Sequence, residues 1–319
     1  MIPFTWFIEA EERIGPFIQT TPLVYDETID LYIKCENQQV TGSFKARGAF
    51  NKVLSLEKWE QEAGLLAASA GNHGQGVALA GRHVGAPATI FASENAPQIK
   101  IEAMRALGAT VNLVPGGYGE AEKAALALAA SSNATWISPY NDGHVVAGQG
   151  TVALEVLRQA DSLYHTHLEA ATWIVPTSGG GLLAGIAAVV NHLSPHARIV
   201  GVQTDTSPFM HALFHYGSQE GVIELPTIAD GLAGPVEEGA ITIPMVRQYV
   251  DDILLVSEAE TARAVAYAWT HYGERIEASA AVTLGAILYG KLTAGPFVAI
   301  LSGSNIQDQV FEEIIARGL

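Results

Sequence analysis

The chain is poor in cysteine: Cys35 stands alone among 319 residues. An internal disulfide is excluded, which fits a reducing, cytoplasmic setting. Positive charge is also scarce. Lys and Arg number 17 against 33 Asp and Glu, a formal net charge of −16. So acidic a chain repels nucleic-acid phosphates and anionic membrane faces, so small molecules are the expected partners. Long apolar runs are missing. The longest, Leu182 to Val190, falls short of the roughly 20 residues a spanning helix needs. No basic segment leads into an apolar run at the N-terminus. Instead Phe7, Ala10 and Ile14 recur at helical spacing among Glu9, Glu11 and Glu12, predicting an amphipathic helix. Low-complexity tracts and solenoid repeats are absent. So are a Walker loop, a Gly-x-Ser-x-Gly and a His-Glu-x-x-His. His211 and His215 are four apart on one predicted helix, but no third ligand accompanies them, and no metal site is expected.

What is present is apolar content of 49%, enough for a full core. Strands are predicted at Leu31–Cys35, Leu65–Ala68, Ala88–Phe91, Thr110–Val114 and Thr135–Ile137, then at Thr172–Val175, Ile199–Val202, Ile253–Val256 and Phe297–Leu301. Helical runs alternate with them, among them Ala46–Leu56, Glu120–Ala130, Leu182–Asn191, Glu258–His271, Ser279–Tyr289 and Asn305–Ala316. Alternation of this kind predicts an α/β protein with two open, mostly parallel twisted sheets and helices on both faces. The expected division is a large domain of residues 1–63 and 142–319 with a small domain, 64–141, inserted in it. The turn cluster Asn141-Asp142-Gly143 marks the second boundary. Ligands of open α/β sheets bind beyond the carboxyl ends of strands, so chemistry is sought there.

Four stretches stand out. Thr41-Gly42-Ser43-Phe44-Lys45-Ala46-Arg47 places one lysine among small and aromatic neighbours at a helix start; an ordinary surface lysine is the alternative. Ser69-Ala70-Gly71-Asn72-His73-Gly74-Gln75-Gly76 follows a strand and opens a helix, as an anion site or merely a tight turn. Thr177-Ser178-Gly179-Gly180-Gly181-Leu182 also follows a strand. Its glycines can fold into an N–H nest around a phosphate. The run Gly179 to Ala184 equally satisfies the loose dinucleotide pattern, with Asp205 downstream as a ribose ligand, although Gln203-Thr204 reads as loop. Ser302-Gly303-Ser304-Asn305 follows the last strand and is expected to open a helix, with Ser302 a strand-end polar group or an N-cap.

Taken in this order, these stretches resemble the fold-type II pyridoxal-phosphate enzymes, tryptophan-synthase-β-like in fold, most of all the serine/threonine dehydratases and serine racemases. Thr21-Pro22-Leu23, Lys34-Cys35-Glu36-Asn37, Ala147-Gly148-Gln149-Gly150-Thr151 and Thr227-Ile228-Ala229-Asp230-Gly231 extend the match. The resemblance implies pyridoxal 5'-phosphate as cofactor, Lys45 as its Schiff-base lysine and Asn72 at its phenolic oxygen. Ser178, Gly179, Gly180, Gly181 and Leu182 would hold its phosphate, Ser302 would face its pyridine nitrogen, Phe44 would pack near the ring, and Gly231 would let backbone approach. Ser69, Ala70, Gly71, Asn72 and His73 would hold the substrate carboxylate.

The implied activity is loss of water and ammonia from a β-hydroxy-α-amino acid, most simply L-threonine or L-serine, giving a 2-oxo acid. A β-hydroxyaspartate dehydratase or an amino-acid racemase is the alternative inside the family. A nicotinamide-dependent oxidoreductase or a non-catalytic cofactor-binding protein is the alternative outside it. Ala70 stands where racemases carry a serine, and a methyl moves no proton, so dehydration is preferred. Gln203 and Phe209 occupy expected cation-site positions, so no tight divalent site is expected. The chain stops at Leu319 without the regulatory domain of biosynthetic threonine dehydratases, which argues against feedback inhibition. His144 is expected to be a solvated loop histidine, with contact to a second substrate carboxylate as the alternative. A homodimer is the default assembly.

Overall fold

The computed structural model describes residues 1–292 and 295–318. The first half runs α1 (Thr5–Ile14), β1 (Leu23–Asp26), β2 (Leu31–Lys34), α2 (Lys45–Ser55), α3 (Lys58–Ala63), β3 (Leu65–Ala68), α4 (Asn72–Val84), β4 (Ala88–Ser93), α5 (Gln98–Ala106), β5 (Thr110–Val114), α6 (Tyr118–Ser131) and β6 (Thr135–Trp136). The second half runs α7 (Gly143–Tyr164), β7 (Thr172–Pro176), α8 (Gly181–Leu193), β8 (Arg198–Thr204), α9 (Phe209–Tyr216), α10 (Thr242–Tyr249), β9 (Asp252–Val256), α11 (Glu258–Tyr272), α12 (Ala278–Leu288), β10 (Phe297–Ile300) and α13 (Asp308–Gly318).

Among the described residues the strands form two sheets, in the orders β1-β2-β10-β7-β8-β9 and β5-β4-β3-β6. All pairs are parallel except β1 with β2. The two open, mostly parallel sheets with helices on both faces are as expected. Buried parallel strands carry near-continuous apolar runs, and all five residues of β7 are buried. One face of the larger sheet is packed by α1, α7, α8 and α10, through residues such as Phe7, Val146, Leu183 and Val246. The other is packed by α11 and α12, through Val265, Val282 and Leu284. The smaller sheet shares its core with α2: Ala46, Ala49, Phe50 and Val53 cluster with Leu65, Ala67 and Val77.

Several expectations need correction. Strand β1 has no period-two alternation, only one of its four residues being buried, and it forms the antiparallel edge. Strand β8 continues through Gln203 and Thr204, both buried and both paired with β9. The last helix starts at Asp308 rather than Asn305. The turn at Asn141–Gly143 leads directly into α7, whose N-cap Asp142 accepts from the N–H groups of His144 and Val145. His144 therefore lies in a helix, its ring stacked on Trp6 at 4.5 Å, rather than in a solvated loop.

Helices α2 and α7 approach closely because both carry glycine where they cross. A Cβ on Gly148 would lie 2.7 Å from Arg47 O, and one on Gly48 2.3 Å from Gln149 Nε2. Beneath that crossing lies a buried ionic network. The Arg47 guanidinium donates to both oxygens of Glu36 (2.7 Å each) and to Glu155 Oε2 (3.0 Å). The Lys34 ammonium donates to Glu155 Oε1 (2.5 Å), Gln159 Oε1 (2.8 Å) and Thr21 O (2.7 Å). Burial opposes charge on Glu36, but the adjacent Arg47 outweighs it and holds that carboxyl below its ordinary value. The network pins the start of α2 to β2 and α7.

Candidate active site

Lys45 is the first residue of α2, and the chain before it is tied to the end of β10. Ser43 bridges Gly303, and the Phe44 N–H donates to Ser302 O at 3.1 Å. Lys45 Nζ donates to Pro139 O at 3.2 Å and sits 5.2 Å from the centre of the Phe44 ring. Burial pushes its amine down to about 8, although the Glu277 carboxylate pulls the other way. The alternative of an ordinary solvated lysine does not fit this geometry.

The turn after β3 comes to the same place. Ser69 Oγ accepts from the Gly71 N–H at 3.0 Å, and Ala70 lies half-buried between them. His73 is 4% exposed, with its Nε2 2.8 Å from Ile137 O and no partner for Nδ1 among the described residues. Burial, then the Lys45 charge, push its ring down to about 3, so it is neutral and donates from Nε2. Asn72 Nδ2 donates to Glu277 Oε1 at 2.8 Å, and its Oδ1 accepts from Asn305 Nδ2 at 2.7 Å.

The glycine loop after β7 leads into α8. Gly180 has φ +84°, and a Cβ there would lie 2.9 Å from Met210 Cε. A Cβ on Gly179 would lie 2.3 Å from the Tyr140 ring. Thr242 Oγ1 donates to Gly179 O at 2.7 Å and holds the loop's outer edge. The first helical bond is Ala184 N–H to Gly180 O at 2.8 Å. The N–H groups of Gly181, Leu182 and Leu183 therefore have no intrahelical acceptor, and the dipole's positive end faces the loop. The Leu182 side chain is buried in the core, so only its backbone faces that loop. Ser178 is half-buried at the loop's start. Ser302 is 3% exposed at the end of β10. It cannot cap α13, which begins six residues later. Gly231 stays close to α12: its N–H donates to Ser279 Oγ at 2.9 Å, where a Cβ would also meet that oxygen.

Residue patterns missed Glu277, which is 5% exposed just before α12. Its N–H donates to Gly303 O, and its carboxyl is pushed up to about 7 by burial and then by Asp230. The available signal was a lone acid leading into an apolar, wholly buried helix. Asn305 was missed as a site residue too; its Nδ2 reaches Thr41 O as well as Asn72. Tyr140 was missed although it lines the glycine loop; its Oη accepts from the Glu237 N–H at 2.9 Å. Asp205 does fall at a strand end after all. Gln203 Oε1 caps α9 by accepting from the His211 N–H at 3.0 Å.

A family model described as pyridoxal-phosphate dependent enzyme matches residues 14–303. The chain belongs to that family. It is 38% identical over 318 residues to an L-threonine ammonia-lyase of Thermotoga maritima, covering 98% of this chain and 77% of that one. Among solved structures it is similar to the processed form of threonine deaminase isoform 2 from Solanum lycopersicum (TM-score 0.89, 30% identity, 98% and 87% covered). It is also similar to maize serine racemase (TM-score 0.88, 30% identity, 99% and 97% covered).

Pyridoxal 5'-phosphate is this family's cofactor, and the residues here fit it. There is an amine with weakened proton affinity, a loop whose Gly179 and Gly180 admit no Cβ, and helix N–H groups facing that loop without an intrahelical acceptor. The buried hydroxyls of Ser43 and Thr177 also have no partner among the described residues.

Proposed function

We propose that this enzyme is an ammonia-lyase, a dehydratase acting on a β-hydroxy-α-amino acid, with L-threonine or L-serine as substrate and a 2-oxo acid and ammonia as products. The observation that carries this is the convergence of Lys45, its amine at about 8, with Asn72, the glycine loop and Ser302. Lys45 Nζ would hold the cofactor. The backbone from Ser178 to Leu182 would bind its phosphate, Asn72 its phenolic oxygen and Ser302 its ring nitrogen, with Phe44 beside the ring. Gly231 would give its backbone room to approach the cofactor. When bound, the cofactor supplies an electron sink for the bond broken at the substrate α-carbon. The turn from Ser69 to His73 would hold the substrate carboxylate.

Lys45 Nζ takes the α-proton, a task suited to an amine half-neutral near pH 8. The β-hydroxyl leaves as water after gaining a proton, and hydrolysis of the released enamine yields ammonia. His73 does not compete as an acid, because its ring stays neutral. Ala70 has no exchangeable proton, so the opposite face of the α-carbon lacks a base and elimination is favoured over racemisation. The likeness to a serine racemase keeps racemisation as the second reading.

Cytoplasmic residence and a homodimer belong to the same proposal. No helix among the described residues is long and apolar enough to cross a membrane, and two-fold closure is the commonest assembly. The division into 1–63 with 142–319 and 64–141 is likewise proposed, supported by one sheet drawing all its strands from 65–136.

The test is ammonia release from L-serine, L-threonine and both hydroxyaspartate diastereomers, followed with chiral analysis of the remaining substrate. The expected result is release from threonine or serine without D-amino acid, and loss of the protein-bound visible cofactor band in Lys45→Ala. Absence of that band in cofactor-saturated wild type refutes the proposal.

A further inference from the structure

Lys100, on α5, lies between the turn after β3 and the turn that carries Asp230. Its ammonium donates to Asp230 Oδ2 at 2.6 Å, joining a helix of the smaller sheet to the turn before Gly231. The two partners are unequally placed. The Lys100 side chain is 12% exposed and that of Asp230 59%. Asp230 can turn into water at little cost, whereas the Lys100 charge has little water of its own and needs an anion beside it. Lys100 also overhangs the turn after β3. A Cβ on Gly71 would lie 3.7 Å from Lys100 Cδ and 3.8 Å from its Nζ. Gly71 is in the middle of the Ser69–His73 turn, directly before α4.

We propose that Lys100 is a substrate-binding residue, that its ammonium pairs with the carboxylate of the incoming amino acid, and that Asp230 is a place-holder which the carboxylate displaces. This rests on the lyase reading and deepens it. Both states keep one anion against Lys100, so the exchange never strands a poorly solvated cation. An amine that lacks a carboxylate leaves the Lys100–Asp230 pair in place and gains nothing from Lys100, so it is favoured less than an amino acid. The bridge is thus a selectivity device: only an anionic ligand replaces what it removes.

A place-holder and a strut make opposite predictions for the two partners. If the pair merely ties two elements together, removing either charge weakens substrate binding alike. If Asp230 competes with substrate for Lys100, Lys100→Gln and Asp230→Asn act in opposite directions. The holoenzyme is assayed with L-threonine, and binding of 1-amino-2-propanol, which lacks the carboxylate, is followed by the change in the visible spectrum. Lys100→Gln is expected to raise KM for L-threonine about 10- to 100-fold, the range for a lost charge-assisted hydrogen bond, with a much smaller change in kcat. Lys100→Arg restores most of the affinity. Asp230→Asn lowers KM, and Lys100→Gln leaves 1-amino-2-propanol binding unchanged. An unchanged or raised KM in Asp230→Asn overturns the inference and stands even if Lys100→Gln does not fold. An unchanged KM in Lys100→Gln overturns it too. Wild type that binds no cofactor overturns the lyase reading itself. A wild type that turns over threonine beside an unaffected Lys100→Gln sinks this inference alone.

Discussion

Glu277 should make the cofactor-free protein lose stability as pH rises, and Glu277→Gln should remove much of that loss. The carboxyl is almost fully buried, and its proton affinity is raised from an ordinary 4.5 to about 7. Burial is the main cause and the Asp230 carboxylate the second; Lys100 and the hydrogen bond from Asn72 act against them. The folded chain therefore keeps this proton where the unfolded chain has released it. The group's contribution is fully present below pH 4.5 and is lost as pH rises through about 7. A shift of that size corresponds to about 3 kcal/mol, at 1.36 kcal/mol per unit. Roughly 2–3 kcal/mol of it falls between pH 5 and 8. Glutamine is neutral throughout and keeps an oxygen that can accept from Asn72. Urea unfolding of wild type and variant at pH 5, 6, 7 and 8 isolates this carboxyl, because both proteins share all other titrating groups. The two stability–pH curves should converge at low pH and separate above neutrality, with the variant higher. Parallel curves across the range would refute the assignment of a protonated, buried carboxyl.

Two further substitutions probe the loop and the network beneath the site. Gly179→Ala brings a methyl to 2.3 Å from a Tyr140 ring held by the Glu237 N–H. Relief of such overpacking costs about 1–3 kcal/mol. Cofactor affinity by absorbance titration should fall at least about tenfold, and unchanged affinity would separate this loop from cofactor binding. Glu155→Gln leaves both Lys34 and Arg47 short of a carboxylate. A broken buried pair of this kind costs about 3–5 kcal/mol. A loss below about 1 kcal/mol in urea unfolding would mean the network does not hold α2.

The central strands were legible because their residues are apolar on both faces and bounded by turn residues. Thr172–Pro176 and Leu65–Ala68 are of this kind, with every residue buried. Strand β1 was not, since an edge strand with one buried residue carries no pattern to read. The end of β8 was misread because Gln203 and Thr204 are polar, yet both are wholly buried and paired with β9. Tertiary cover decided that segment, not its own composition. Helix α13 was placed too early for the opposite reason. The stretch Ser302 to Asn305 read as a helix opening, but Ser304 Oγ donates to Asn37 O and Asn305 to Thr41 O, tying down the loop before Lys45. The short, small-residue motifs that the structure brings together were legible because each motif is local. Glu277 and Lys100 act across elements, 205 and 130 residues away in sequence from Asn72 and Asp230. No local pattern encodes such pairs.

The consequence is sharpest at Asn72. An amide beside a cofactor oxygen is useful only if its N–H side faces that oxygen, and motif alone does not set which way it points. The surrounding bonds do. Asn305 Nδ2 has two hydrogens, one directed to Thr41 O and one to Asn72 Oδ1. Asn72 must therefore present its oxygen to Asn305 and its nitrogen to Glu277, where it donates to Oε1. The reverse orientation would set two amide nitrogens against each other. One hydrogen on Asn72 Nδ2 remains for a further acceptor, the place the proposed function gives to the phenolic oxygen. Neither Asn305 nor Glu277 need touch the substrate for this to hold. They are positioning residues, and they turn a two-way amide into a fixed donor.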